Sequence, residues 1–268
     1  MVASDKLFAG SIPEIYDRFL VPLIFEPYAL DLAGRIAAFA PGDVLETAAG
    51  TGVLTRALAS RLAPSTRIVA TDLNQPMLDQ AARRQQGGVE RKQADALALP
   101  FDEGSFDLVA CQFGVMFFPD KVQGYREARR VLRRPGRFLF NVWGDIADNE
   151  FADVVTQALA GAFPSDPPRF LARTPHGYHD AGRLRDDLQA AGFGDISIEA
   201  VDATSKAPSP RHAATGFCQG TPLRTEIEAR DVAGLEAATN RAADALAQRF
   251  GTGVIEGRTR AFVITASR

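Results

Sequence analysis

VLETAAGTG, Val44 to Gly52, is a short apolar run carrying one acid that opens into a turn of small residues. Such a run reads as a buried parallel strand, and the small residues after it as a tight loop entering a helix. Gly50 and Gly52 allow the backbone to approach a ligand, and the loop amides with the helix N-terminus behind them favour an anionic group such as a carboxylate. The competing reading is a bare strand-to-helix connection, since such turns also occur where nothing binds.

The residues beyond the turn separate the two readings. Val53 to Leu62 form the helix leaving it and Pro64 ends that helix. RIVA, Arg67 to Ala70, makes a second strand that runs into Thr71, Asp72 and Leu73 before a helix led by Pro76 and Met77. Asp72 therefore stands at a strand's carboxyl end beyond the glycines, where a carboxylate accepts hydrogen bonds from two vicinal ribose hydroxyls. A helix N-cap at Asp72 or Asn74 is the alternative.

VERKQ at 89–93, FDLVACQF at 106–113 and RFLFNVW at 137–143 supply three more strands, with a helix from Lys121 to Leu132 between the last two. This alternation of strand and helix predicts a doubly wound, mostly parallel α/β sheet with right-handed crossovers. After Trp143 come helical segments at 149–163 and 180–191, a sixth strand within 192–201, three helices over 203–257 and a closing strand at 260–267. Ahead of the motif, residues 11–40 read as a short helix, a turn near Pro22 and a longer helix from Pro27 to Phe39.

At 268 residues, without a long linker, the expectation is a single domain: an N-terminal helical cover (1–40), a ligand-binding core (41–145), a core completion with a helical insertion (146–202), a helical lid (203–257) and the final strand (258–268). A net charge of −3 with 24% charged residues gives no global basic surface, so nucleic acid is not an expected partner. The opening residues lack the pattern of a signal peptide, and the apolar stretch at 19–25 is short and broken by Pro22, which predicts no membrane partner and a cytoplasmic protein, monomeric or homodimeric. The two cysteines, Cys111 and Cys218, have no metal-ligand spacing, and no metal is expected.

Taken together, ETAAGTG, the acid of TDLN, QADALALPF, FDLVACQFGVMFF and LRRPGRFLFNVW resemble the class I S-adenosylmethionine-dependent methyltransferases, nearest the ubiquinone and menaquinone branch. The resemblance implies a seven-stranded Rossmann-like fold with helical lid insertions and S-adenosyl-L-methionine as donor, leaving S-adenosyl-L-homocysteine. It implies that Glu46 helps place the methionine amino group, with the backbone at Ala48 and Gly50 against the methionine part. It gives Asp72 the ribose, Leu73 and Met77 the apolar cover of the adenine, and Asp95 with Ala96 the adenine edge. Gln112 and Phe113 then face the methyl end. The family usually has glycine where this chain has Ala48, which implies a loop slightly farther from the donor.

Methyl transfer from a sulfonium is an in-line displacement that needs alignment and a dry site more than any obligatory catalytic residue. Tyr16, with Phe8, Phe19, Phe117 and Phe118, is a candidate to line the donor pocket through cation–π contact, against a reading of these rings as core. A hydroxyl acceptor needs a base, for which His176 and His179 are the candidates. His176 and His212 are expected in solvated loops, and His179 to pack before a helix capped by Asp180. The helices within 1–40 and 203–257 are expected to roof the site, and Phe8, Phe19, Phe25, Phe117, Phe118, Phe163, Phe170 and Phe217, in loops or covering helices, point to a small, largely apolar acceptor methylated on oxygen or carbon. The competing functions are a catalytically silent S-adenosylmethionine-binding module and a nicotinamide-dependent oxidoreductase, although no GxGxxG or Tyr-x-x-x-Lys pair is present.

Overall fold

Val44 and Leu45 are both fully buried, as a strand covered on two faces requires. In this computed structural model, which describes residues 3–85 and 87–268, they lie in β1 (Asp43–Glu46). The strands after it are β2 (Arg67–Asp72), β3 (Glu90–Gln93), β4 (Phe106–Gln112), β5 (Leu132–Trp143), β6 (Gly194–Ala207) and β7 (Ile255–Ser267). They form one 7-stranded sheet of order β3-β2-β1-β4-β5-β7-β6. β1 pairs in parallel with both β2 and β4, so the strand order reverses beside it. At such a reversal the connections leave in opposite directions and open a crevice at the carboxyl ends of the strands.

The helices are α1 (Ile12–Ile15), α2 (Glu26–Ala37), α3 (Val53–Arg61), α4 (Gln75–Arg84), α5 (Lys121–Val131), α6 (Glu150–Ala162), α7 (Phe170–Arg173), α8 (Ala181–Ala190), α9 (Pro210–Gln219), α10 (Leu223–Arg230) and α11 (Leu235–Phe250). The chain divides into two compact units. A sheet unit holds Glu26–Val142, Tyr178–Val201 and Ala261–Arg268; a helical unit holds the chain up to Phe25, Trp143–Gly177 and Asp202–Arg260.

In the sheet unit, Leu32, Ala33 and Ile36 of α2 and Leu54 and Leu58 of α3 cover Val44, Ile68, Leu108 and Leu139 of the strands. Each fully buried leucine or isoleucine there contributes about 1.5–3 kcal/mol from loss of water-exposed apolar surface. α2 thus belongs to the core, although the sequence groups it with an N-terminal cover. Its apolar residues recur on one face, and that face is sealed against α3 and the sheet. At the amino ends of β1 and β4, Arg133 donates to Asp43 at 2.7 Å and to Asp107 at 2.8 Å.

In the helical unit, α11 packs on α9 and α6, and the ring of Phe151 meets Phe250 edge-on at 5.1 Å. The expected turn near Pro22 is absent, because Tyr16–Phe25 is a π-helical stretch that joins α1 to α2 without a break. A wider helix eases the clash of the proline ring with the carbonyl four residues back, which would kink or break an α-helix. β6 and β7 also run into this unit, so each is longer than its apolar alternation alone suggests. There Thr259 donates to the Ala203 carbonyl and Lys206 pairs with Glu256.

Candidate functional site

The turn after β1 takes its shape from left-handed backbone. Gly50 and Gly52 have φ of 56° and 80°, and Ala48, which has a side chain, is also left-handed at 51°. That conformation places Cβ against its own carbonyl at a cost of about 1–2 kcal/mol for a non-glycine residue, which explains in physical terms why glycine suits this position. Space for the Ala48 methyl comes from Gly114, where an added Cβ would stand 2.5 Å from it.

Two buried acids support the turn. Glu46 is 1% exposed and accepts from the Thr55 hydroxyl at 2.5 Å. Burial pushes its pKa up to about 8 against the opposing Thr55 hydrogen bond and the Arg56 charge, and neighbouring Asp72 adds to the rise. Asp72 accepts from the amide of Gly50 at 2.9 Å through one oxygen and from the amide of Asn74 at 2.8 Å through the other. Its carboxylate ties the tip of β2 to the glycine turn; it does not cap α4, whose N-cap is Asn74. Burial raises its pKa as well, opposed by those amides.

Leu73 beside Asp72 is 41% exposed, and buried Met77 brings its methyl within 3.5 Å of where a Gly50 Cβ would be. At the tip of β3, Asp95 is exposed and accepts locally, from the Leu97 amide at 2.9 Å, with half-buried Ala96 next to it. At the tip of β4, Gln112 and Phe113 are buried, and Phe113 is left-handed at φ 50°. The Phe113 amide donates to Asn141 Oδ1 at 3.1 Å, a partner on β5 that sequence reasoning missed; an asparagine inside an apolar strand was the available signal. Glu46, Ala48, Gly50, Asp72, Leu73, Met77, Asp95, Ala96, Gln112 and Phe113 all lie within the sheet unit, at or just beyond the carboxyl ends of β1 to β4.

The helical unit holds Tyr16 and His176 in one row of rings. Phe8 meets Tyr16 at 6.0 Å, Tyr16 meets Phe25 at 5.0 Å, Phe25 meets Trp143 at 5.7 Å and Trp143 meets His176 at 6.0 Å. His176 is not solvated but 6% exposed, and its Nδ1 lies 2.9 Å from the Gly144 carbonyl, which can only accept, so that nitrogen carries the proton. His212 is on α9 rather than in a loop, half-buried against Phe19, because Ser209 caps the helix that begins at Pro210. His179, in the sheet unit, is half-buried just before α8, whose N-cap Asp180 accepts from Arg183.

The donor chemistry fits these residues. Two buried carboxylates at adjacent strand tips suit a bound ammonium and a ribose, and the exposed leucine beside them suits the face of an apolar ring.

Residues 44–136 match the family described as a methyltransferase domain. The chain is 38% identical over 185 residues to the ubiquinone/menaquinone biosynthesis C-methyltransferase UbiE of Hahella chejuensis, covering 63% of this chain and 73% of that protein. It is 30% identical over 210 residues to the demethylmenaquinone methyltransferase of Deinococcus radiodurans, covering 71% and 85%. Among solved structures, phosphoethanolamine N-methyltransferase 2 of Haemonchus contortus in complex with S-adenosyl-L-methionine has a TM-score of 0.61 at 16% identity, covering 100% of this chain and 60% of that one. The YcgJ protein of Bacillus subtilis has a TM-score of 0.55 at 20% identity, covering 89% and 98%. At these identities the structural likeness concerns the fold alone.

Proposed function

The chain belongs to the S-adenosylmethionine-dependent methyltransferases of the UbiE and demethylmenaquinone methyltransferase type, and from that premise we propose that it methylates a ring carbon of a small, largely apolar acceptor of the reduced-quinone class. The observation that carries this reading is the 38% identity to a relative that is itself a C-methyltransferase.

S-adenosylmethionine supplies a methyl group on a positively charged sulfur. In our reading, Glu46 takes the methionine ammonium, Asp72 the ribose hydroxyls, Leu73 and Met77 an adenine face, and Asp95 with Ala96 the adenine edge. The backbone of Ala48 and Gly50 lies along the methionine part, and Gln112 and Phe113 fix the methyl end. Bound there, the donor would supply its methyl group to the acceptor carbon with cleavage of the carbon–sulfur bond to leave a neutral thioether, and the proton displaced from that ring carbon would pass to solvent. Alignment and exclusion of water then dominate the rate.

We assign acceptor recognition to the helical unit, where Phe8 and Tyr16 form the half-buried end of the aromatic row. Protection of residues 1–25 and 203–230 from proteolysis by S-adenosylhomocysteine plus acceptor tests that assignment, and unchanged cleavage refutes it. Among the described residues no helix is long and apolar enough to cross a membrane. The net charge of −3 argues against nucleic acid, and we infer a monomer or homodimer.

The test is a methyl-donor assay over reduced naphthoquinones, phenols, thiols and a tRNA pool, with the product's methylated atom identified by mass spectrometry and NMR. A methyl on a ring carbon is expected. Methyl ethers alone would move the reaction to oxygen and make His176 and His179 the bases to replace, whereas methylation confined to RNA would refute the acceptor class.

A further inference from the structure

Between β4 and α5 the chain makes a short 3-10 turn, Val115–Phe117, that is held from three directions. Gly114 enters it with no room for a side chain: a Cβ would lie 2.5 Å from the Ala48 methyl and 2.6 Å from Cys111 Sγ. At the far end the Phe118 ring lies on Gly124 of α5, again within 2.5 Å of where a Cβ would be. Between these supports Lys121 Nζ donates to the carbonyls of Met116 at 3.0 Å and Phe118 at 2.7 Å.

Helix formation does not explain a lysine here. Lys121 is the first residue of α5, where the helix dipole is positive and disfavours a cation, and the N-cap role is already filled by Asp120, which accepts from the Gln123 amide. The ammonium also gives up solvent, lying 5.1 Å from the centre of the Tyr178 ring. The Tyr178 hydroxyl receives a hydrogen bond from Tyr125 at 3.2 Å and donates to Asp187 at 2.7 Å, and the Arg183 guanidinium is 5.4 Å from the same ring. The charged and titratable groups around Lys121 are therefore Arg183 and Asp187 of α8, Tyr178 ahead of that helix, and Tyr125 of α5 itself.

We propose that Lys121 is a positioning residue for methyl transfer: it holds the 114–118 turn against the glycine turn and thereby fixes left-handed Phe113 at the tip of β4. The proposal rests on the assignment of this tip to the transferred methyl group. Burial, reinforced by Arg183 and opposed by Asp187, lowers the lysine's pKa to about 8. A neutral amine keeps N–H donors but loses the charge assistance of both bonds, so the turn loosens as pH rises through that value.

The test compares Lys121→Met and Lys121→Arg with the wild type, each with S-adenosylhomocysteine bound. Amide hydrogen exchange over 113–118 at about pH 7 should be faster by about tenfold in Lys121→Met. In the wild type, exchange corrected for its intrinsic rate should rise between about pH 7 and about pH 9, and in Lys121→Arg it should not. With reduced 1,4-naphthoquinone under anaerobic conditions, kcat of Lys121→Met should fall by about tenfold or more while KM for the methyl donor and the Kd of S-adenosylhomocysteine stay within about twofold. Wild-type exchange in Lys121→Met, or parallel loss of ligand affinity and Tm with no selective fall in kcat, would overturn the proposal. A wild type inert toward the quinol would sink the acceptor reading instead, and hydrogen exchange would still decide whether Lys121 holds the turn.

Discussion

Glu46 and Asp72, at the tips of β1 and β2, are buried carboxylates tied to the glycine turn and its helix, whereas Asp95, just beyond β3, has the same chemistry in open solvent. The difference comes from sheet position. β1 and β2 are flanked on both sides and covered by helices, while β3 is an edge strand of charged and polar residues. A carboxylate held dry is strongly coupled to whatever neutralises it, and a solvated one is screened. The inner two acids should therefore dominate donor affinity.

The largest expected effect is at Asp72. Asp72→Ala removes the acceptor of the Gly50 and Asn74 amides together with the ribose contact, and should weaken S-adenosylhomocysteine binding by about 1–3 kcal/mol. Calorimetry returning wild-type affinity would break the contrast at its strongest point.

Glu46 should show the contrast as a change of sign. Its folded pKa of about 8 lies above the ordinary 4.5, so between these values the native state holds a proton that the unfolded chain has released. Stability of the ligand-free protein is thus lost as pH rises across that window, and Glu46→Gln should abolish this loss, raising Tm by a few degrees at about pH 9. The same variant should bind donor more weakly. Below about pH 8 the wild type should release a proton on binding, visible as a buffer-dependent enthalpy; a buffer-independent enthalpy would mean that Glu46 does not change its protonation when the donor binds.

Asp95→Ala should cost less than about 1 kcal/mol of donor affinity, and less still at high salt, because its carboxylate is solvated. A loss equal to that of Asp72→Ala would show that the donor buries this edge on binding. The smallest effect concerns the turn itself. Ala48→Gly relieves a left-handed side chain and frees the unfolded chain, so urea denaturation should register a gain of no more than about 1 kcal/mol. A clear destabilisation would mean that the Ala48 methyl on Gly114 matters more than the backbone conformation.

Much of this site was legible because strand tips are local events. An apolar run, a small-residue turn and an acid at the end of the next strand are set by neighbours in sequence, and Glu46, Gly50 and Asp72 all emerge from that pattern. The role of Asn141 was not: an asparagine inside an apolar strand stands out, but its partner amide at Phe113 lies at the tip of another strand, so the sequence does not say what it holds. Nor was Lys121, which sequence presents as one more helical surface cation. Nor was the buried setting of His176, whose Nδ1 meets the carbonyl of Gly144, distant along the chain but adjacent through the fold.

By itself the sequence determined the order of strands and helices, the glycine turn and the acids beside it, because hydrophobic period and turn chemistry act over a few residues. Tertiary structure alone decided the π-helical run through Pro22, the place of α2 in the core, the lengths of β6 and β7, and which carboxylates are dry. Those outcomes depend on what packs against each segment. Burial, and with it the electrostatics of Glu46, Asp72 and Lys121, is set by contacts between residues far apart in sequence.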